Sequence, residues 1–480
     1  MSGLGRLDVR DELTSLLIGT GMIAVVLVGA TRYGTTVGLI SVVAVALFAA
    51  STICFLAAPH VAVAITIPLF ASVPALKVLV ADGVGPAKDA VTLSAALAAV
   101  LYVLQRDGRQ TLERTDRVVI TAIAALAGLY VFNAGGLYSA SWHGGQWMQG
   151  VRLTFEPLLL LLVGLLLPHP RRTLNWAATS LVATGCGVAA FGIWQQIVGS
   201  ARLVGFGYTY DQQLRTIGGH LRSFGTLDDS FAYAAFLFLA LATIVFWTRG
   251  AALALACGTL VAVGISVAFV RTAVVVVCAL LAIWLVRAGH VAGGLILFAA
   301  AMCAGIAVTF AAASATESHT VRAGPSTYLT LNGRTSVWAT TLGDRNKIPL
   351  GLGVGTVGRA SVRAQIGVTD ISGGPRRSKE GQLAVDSSYF GAVADVGLIG
   401  LAVLLVLLSR LVVLARRATR SSGDVAGWLC LGYLTVLLLD AATRDSLSGF
   451  PIAYLGFLMV GITLAVAREE GREQRPAEGH

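Results

Sequence analysis

Between residues 251 and 286 the chain runs apolar for 36 residues, broken by one charge, Arg271, in Val-Ala-Phe-Val-Arg-Thr-Ala-Val-Val. One helix of that length measures about 54 Å, nearly twice the roughly 30 Å hydrocarbon core of a bilayer. The run is therefore expected to fold back on itself, with Arg271 at the turn. A charge there is costly unless it faces a bundle interior or a wet cavity, which makes Arg271 a functional candidate. The competing reading is a side chain that snorkels to the headgroups.

The rest of the chain has the same character. Of its 480 residues 56% are hydrophobic and 12% charged, against about 25% charged in soluble domains. The expected class is an all-α polytopic membrane protein. Its net charge of +10 is read by loop sidedness, and nucleic acid is not expected as a partner. All six cysteines lie inside apolar runs, with no CxxC pair and no neighbouring histidine cluster. Neither a disulfide framework nor a metal site follows, and no cofactor is implied. The first apolar run lacks a small-residue cleavage site and reads as a retained span rather than a signal peptide.

Fourteen apolar runs can be counted (12–14 spans allowing for uncertain ones), near 13–31, 36–58, 60–81, 89–105, 118–138, 152–168, 174–198, 229–247, 251–270, 272–286, 290–313, 387–409, 425–443 and 450–467. With a cytoplasmic N-terminus, every arginine-rich short loop falls inside. These are Arg6 and Arg10; Arg106 to Arg117; Arg171 and Arg172; Arg249; Arg287; Arg410 to Arg420; and Arg468 to Arg475. The positive-inside rule expects this arrangement, and it places both termini in the cytoplasm. Three regions follow. Residues 1–313 form a transmembrane bundle of eleven spans with an outer loop near 199–228, residues 314–386 form a large extracytoplasmic loop, and residues 387–480 carry the last three spans and a tail. The large loop has nine Lys/Arg against five Asp/Glu, an unusual surplus for the outer side. No internal repeat is evident, which weighs against an inverted-repeat transporter.

Several constellations on that outer face suit anion chemistry. Arg222-Ser-Phe-Gly-Thr-Leu-Asp-Asp229 opens the eighth span. Its arginine either binds phosphate through a planar fork or pairs with Asp228 or Asp229. Gly333-Arg334-Thr-Ser-Val-Trp338 precedes Pro349-Leu-Gly-Leu-Gly-Val-Gly355. Asn332 is placed to cap a short helix carrying Trp338. The glycines read as tight turns rather than an anion cradle, and no Gly-Lys-Ser/Thr follows to make a nucleotide loop. Asp386-Ser-Ser-Tyr-Phe390 and Asp395-Val-Gly-Leu-Ile-Gly400 mark the re-entry of the large loop. Asp386 is a general base, or else Asp386 or Ser387 caps the N-terminus of the twelfth span. Arg152 and Glu156, four residues apart, are accounted for by an ordinary ion pair. Lys77 lies near the outer end of the third span.

In their order, Gly192-Ile-Trp-Gln195, Arg222-Ser-Phe-Gly-Thr, Arg271-Thr-Ala, Gly333-Arg334 through Trp338, Gly351–Gly355 and Asp386-Ser-Ser-Tyr-Phe through Gly397-Leu-Ile-Gly400 resemble the O-antigen ligase and polymerase group. These are bacterial envelope glycosyltransferases of GT-C-like type. The resemblance covers about 190 to 405. It implies a metal-independent transferase at the outer face of the bacterial plasma membrane. The donor would be a polyprenyl-diphosphate-linked glycan, the acceptor a second glycan, and a chain-length regulator or flippase a partner. It implies that Arg222 and Arg271 hold the diphosphate and that Asp386 acts on the acceptor, with Arg152, Arg334, Trp338 and Lys77 as further donor or glycan contacts. Ligases of the group carry a histidine–asparagine pair where this chain has Asp386-Ser387, and an aspartate there looks more like the polymerase branch. A ligase, and a lipid-linked glycan flippase or anion transporter, are the alternatives. Clustering of the arginines at one face, the large loop on that face and the lack of a repeat favour an enzyme over a transporter.

Overall fold

A computed structural model of the chain describes residues 35–80, 84–105, 115–133, 144–210, 213–217, 220–270, 272–290, 349–355, 387–421 and 425–473, with positions 112, 292, 293 and 296 besides. The described residues form helices α1 (Thr35–Ala57), α2 (Pro59–Leu79), α3 (Ala87–Leu104), α4 (Arg117–Phe132), α5 (Gly144–Leu166) and α6 (Pro170–Gly205). A hairpin of strands β1 (Thr216–Ile217) and β2 (His220–Leu221) follows. The remaining helices are α7 (Ser230–Trp247), α8 (Ala251–Ser266), α9 (Thr272–Arg287), α10 (Ser388–Ser421), α11 (Val425–Thr443) and α12 (Ile452–Glu473). Eight of them are long and apolar enough to cross a membrane, and four more are apolar but have shorter qualifying stretches. The helical membrane class read from the composition is met, apart from the small hairpin.

Each of these helices overlies one of the apolar runs in the sequence. The run near 13–31 lies wholly outside the described residues and that near 290–313 almost wholly so. Helix bounds overshoot hydropathy where the ends are amphipathic. Helix α5 begins at Gly144, eight residues before its apolar run, because Trp147 tucks its indole N–H onto Tyr130 O at 3.1 Å. Helix α10 continues to Ser421 through its arginine-bearing end.

The 36-residue run does fold back. Helix α8 ends at Ser266 and α9 starts at Thr272, with Phe269 at a left-handed φ of 51° between them. Arg271 itself lies outside the described residues. Helix α7 is apolar all round and therefore sits at the centre, with 15 of its 18 residues buried among α6, α8, α9 and α11. Helices α5 and α12 cross where Gly164 and Gly461 meet, and a Cβ on Gly461 would fall 2.3 Å from Leu161 O. Small residues let membrane helices approach this closely.

The cross-helix contacts fix the relative directions. At one end, Lys88 of α3 meets Glu156 of α5, Thr226 meets Ala71 of α2, and Ser388 of α10 meets Arg444 just past α11. At the other, Asp116 before α4 meets Arg410 of α10, and Arg468 of α12 meets Leu165 O of α5. Two hydrogen bonds run from Arg410 Nε and one from Nη2 to the Asp116 carboxylate, which also caps α4. That guanidinium holds the Asp116 carboxyl below the usual carboxylate range. Helix α9 finishes beside the end of α7, where Arg287 donates to Phe246 O at 3.0 Å. Helix α10 starts beside the beginning of α7. The chain from 288 to 387 therefore joins opposite ends of the bundle.

Candidate functional site

One end of the bundle gathers most of the described polar residues of interest, and glutamines build its floor. Gln195, fully buried on α6, accepts from Phe224 N at 3.1 Å and Gly225 N at 2.9 Å, and donates to Gly225 O at 2.9 Å. Gln196 donates to Leu221 O and to Ser223 Oγ, and Ser223 Oγ donates to Gly192 O at 2.7 Å. The two quoted motifs, Gly192 to Gln195 and Arg222 to Thr226, thus bind one another. Both need glycine because Tyr233 lies between them. A Cβ on Gly192 would stand 2.1 Å from Tyr233 Oη, and Gly225 has φ +55° with a Cβ position 2.5 Å from Tyr233 Cδ2.

This floor presents Arg222, which is 9% exposed. Its backbone N–H donates to Arg215 O at 2.8 Å, so the hairpin carries it. Its Nε donates to Ala268 O at 3.3 Å and its guanidinium carbon lies 4.5 Å from the centre of the Phe231 ring. Ser223 N donates to Val267 O at 3.0 Å, which sets the Arg222 loop against the turn leading to Arg271. Asp229 caps α7 through Ala232 N at 2.7 Å and also meets Arg444 Nη2 at 3.4 Å.

Arg444, in Asp440-Ala-Ala-Thr-Arg-Asp-Ser446, was not among the residues singled out from the sequence. Its guanidinium carbon lies 5.2 Å from the same Phe231 ring. The only sequence signal was an arginine between two aspartates just past an apolar run, which reads equally well as an ordinary helix end. Its carbonyl accepts from Ser388 N at 2.9 Å and Ser388 Oγ at 3.1 Å, and Ser387 Oγ donates to Ala441 O at 3.2 Å. The start of α10 is therefore stitched to the Arg444 segment. Asp386, the residue before Ser387, lies outside the described residues, as do Arg271, Arg334 and Trp338. Lys77 stands in the last turn of α2 at this same end, half-buried.

Arg152 has a different fate. Its Nε meets Glu156 at 3.1 Å and its Nη2 meets Asp89, while Lys88 meets Glu156 at 3.0 Å and Asp89 at 2.5 Å. Tyr454 donates to Glu156. The expected ion pair is one edge of a network of two cations and two carboxylates whose charges cancel. Lys88 also lies 4.9 Å from the Tyr454 ring centre and 5.3 Å from that of Phe450. Breaking such a buried network is costly, whereas replacing a pair by apolar groups is often mild. We expect Glu156→Gln to destabilise the protein by about 3–5 kcal/mol, and the double variant Lys88→Met/Glu156→Leu to recover most of that loss. Thermal unfolding in one nanodisc composition compares them; equal losses would contradict the pairing.

The glycine series forms turns, as the sequence suggested. Gly351, Gly353 and Gly355 have φ of +82°, +115° and +79°. The segment docks on α10, which breaks at Gly397 with φ 72°. The break frees carbonyls that the 349–355 segment and Asn133 then satisfy. Leu352 N donates to Ala394 O at 2.6 Å, Asn133 Nδ2 to Asp395 O at 2.7 Å, and Gly355 N to Asp395 Oδ1 at 3.1 Å. A Cβ on Gly397 would meet Pro349 O at 2.2 Å. Gly397→Ala should therefore undock the segment, read as faster hydrogen exchange at Leu352 and Gly355 with the far end of the bundle unchanged. Unaltered exchange there would contradict the docking.

Set beside known proteins, the chain matches no protein-family model and no curated sequence.

Proposed function

We propose that the chain is a membrane glycosyltransferase that polymerises polyprenyl-diphosphate-linked oligosaccharide repeats at the outer face of a bacterial plasma membrane. One observation carries this reading. Residues next to three separated motif positions meet around the Phe231 ring: Arg222, bonded to Ala268 near Arg271, and Arg444, bonded to Asp229 and to Ser388 near Asp386. In the proposed reaction the acceptor hydroxyl oxygen bonds to the donor's anomeric carbon and the bond from that carbon to the diphosphate oxygen breaks. Asp386 takes the hydroxyl proton. Arg222 and Arg271 stabilise the charge that develops on the leaving diphosphate, as fixed donors do in a site that needs no reorganisation.

Geometry supports the sidedness. Helices α8 and α9 have 16 residues each, about 24 Å against a core of roughly 30 Å. With Arg249 and Arg287 at the inner boundary, the turn between them is recessed below the outer one. Joining opposite ends of the bundle, the chain from 288 to 387 needs an odd number of crossings. That parity suits a span near 290–313 and an outer loop at 314–386, for fourteen spans with both termini inside. Arg152 is given no ligand in this scheme, because its charge is already balanced. Lys77, Arg334 and Trp338 keep the glycan or donor contacts that the family resemblance implies.

The test is the glycan profile of a deletion strain. Loss of a polymerase should leave lipid-linked and exported single repeat units. Loss of a ligase should leave full-length chains on the lipid carrier, and unaltered chain lengths would reject polymerisation.

A further inference from the structure

We infer that Arg444 is a further phosphoryl-binding cation that works with Arg222, beside the Arg271 already assigned to the diphosphate. This inference rests on the polyprenyl-diphosphate reading of the site. The two arginines come from distant parts of the chain, yet their guanidinium carbons lie 4.5 and 5.2 Å from the centre of one ring, Phe231. The Phe231 face attracts each cation. The ring thus gathers both guanidinium groups into one patch, with Asp229 and Asp440 beside Arg444, and a bridging diphosphate would meet both forks.

Arg444 is held in place without its donors being used up. Its Nη2 is 3.4 Å from Asp229, whose carboxylate also caps α7 through Ala232 N. Its Nη1 is 3.8 Å from Asp440, beyond hydrogen-bond reach, and that carboxylate accepts from Ser446 Oγ at 2.5 Å. Among the described residues Nη1 is buried with no hydrogen-bond acceptor. A buried guanidinium donor left in this state is unfavourable. A small adjustment of the fork toward a phosphoryl oxygen would complete it. Asp229 and Asp440 fix where the fork points, and the ligand supplies the missing acceptor.

The side chain can be tested apart from the fold, because α10 is stitched to the carbonyl of Arg444 and not to its guanidinium. The full-length protein in nanodiscs is titrated with farnesyl diphosphate and with farnesyl monophosphate, and the affinity ratio is the readout. The wild type should prefer the diphosphate. In Arg444→Gln the ratio should fall by about ten- to hundredfold, the equivalent of one charge-assisted hydrogen-bonding group. If the wild type discriminates and Arg444→Gln discriminates equally well, the assignment of Arg444 is overturned while the proposed function stands. If the wild type binds neither lipid, or both alike, the diphosphate reading of the whole site fails with it. Should Arg444→Gln not purify as folded protein, Arg444→Lys decides, since it keeps a cation for Asp229 and Asp440. A several-fold drop in its ratio supports the inference, and an unchanged ratio overturns it.

Discussion

Arg222→Ala is expected to cut glycan transfer by about a hundred- to thousandfold, close to 2.7–4 kcal/mol, the cost of removing one donor at a developing oxyanion. The same loss is expected for Arg271→Ala. The Arg222 loop should survive the change. Gln195 holds it through Phe224 and Gly225, Thr226 ties it to Ala71, and Ser223 ties it to Val267. All of these bonds are made by groups other than the Arg222 side chain. The Nε bond to Ala268 O and the stacking on Phe231 are lost with the guanidinium. Elongation of a lipid-linked glycan by purified variants, with melting temperature measured alongside, checks this. A large activity loss with an unchanged melting temperature supports the role. A parallel fall in both would return Arg222 to the fold.

The lysine variants refine the chemistry. Lysine supplies a point charge, whereas arginine presents a planar fork matched to phosphate. If Arg222→Lys and Arg271→Lys both kept full activity, charge alone would suffice and the bidentate argument would be wrong.

What the sequence made legible follows from what hydropathy and charge report. Twelve of the described helices overlie apolar runs, since removing backbone polar groups from lipid leaves helices as the open-chain solution. The fold-back near Arg271 was readable from length alone, and the turns at Gly351 to Gly355 from composition. Tertiary partners were not readable. Nothing in Ala-Lys-Asp-Ala, the sequence around Lys88, shows that Glu156 and Tyr454 will close around it. Arg444 looked like an ordinary helix end, and its pairing with Phe231 is set by the packing of α11 against α7. The break in α10 was hidden too, because the run around Gly397, even with Asp395 two residues before it, still reads as one continuous span. Only the docking of 349–355 shows why the helix breaks there.

The largest effect is expected at Asp386, where the two readings of one carboxylate diverge. If Asp386 only caps α10, Asp386→Asn should be nearly silent, because asparagine caps about as well as aspartate. If it takes the acceptor proton, asparagine keeps the shape, removes the proton acceptor and should cost about a hundred- to ten-thousandfold in rate. The neighbouring geometry bears on the choice. Ser387 spends its hydroxyl proton on Ala441 O, and Ser388 is tied to Arg444 O and Leu447 N. The first turn of α10 is thus anchored to the α11 segment by groups that Asp386→Asn leaves untouched. A fall in rate in that variant would therefore not reflect a detached helix. Asp386→Ala would not separate the readings, since it removes cap and base together. The comparison to make is asparagine against wild type at matched expression, measured as elongation of a lipid-linked glycan. Elongation at the wild-type rate would leave Asp386 a cap, and the acceptor hydroxyl would need a different base.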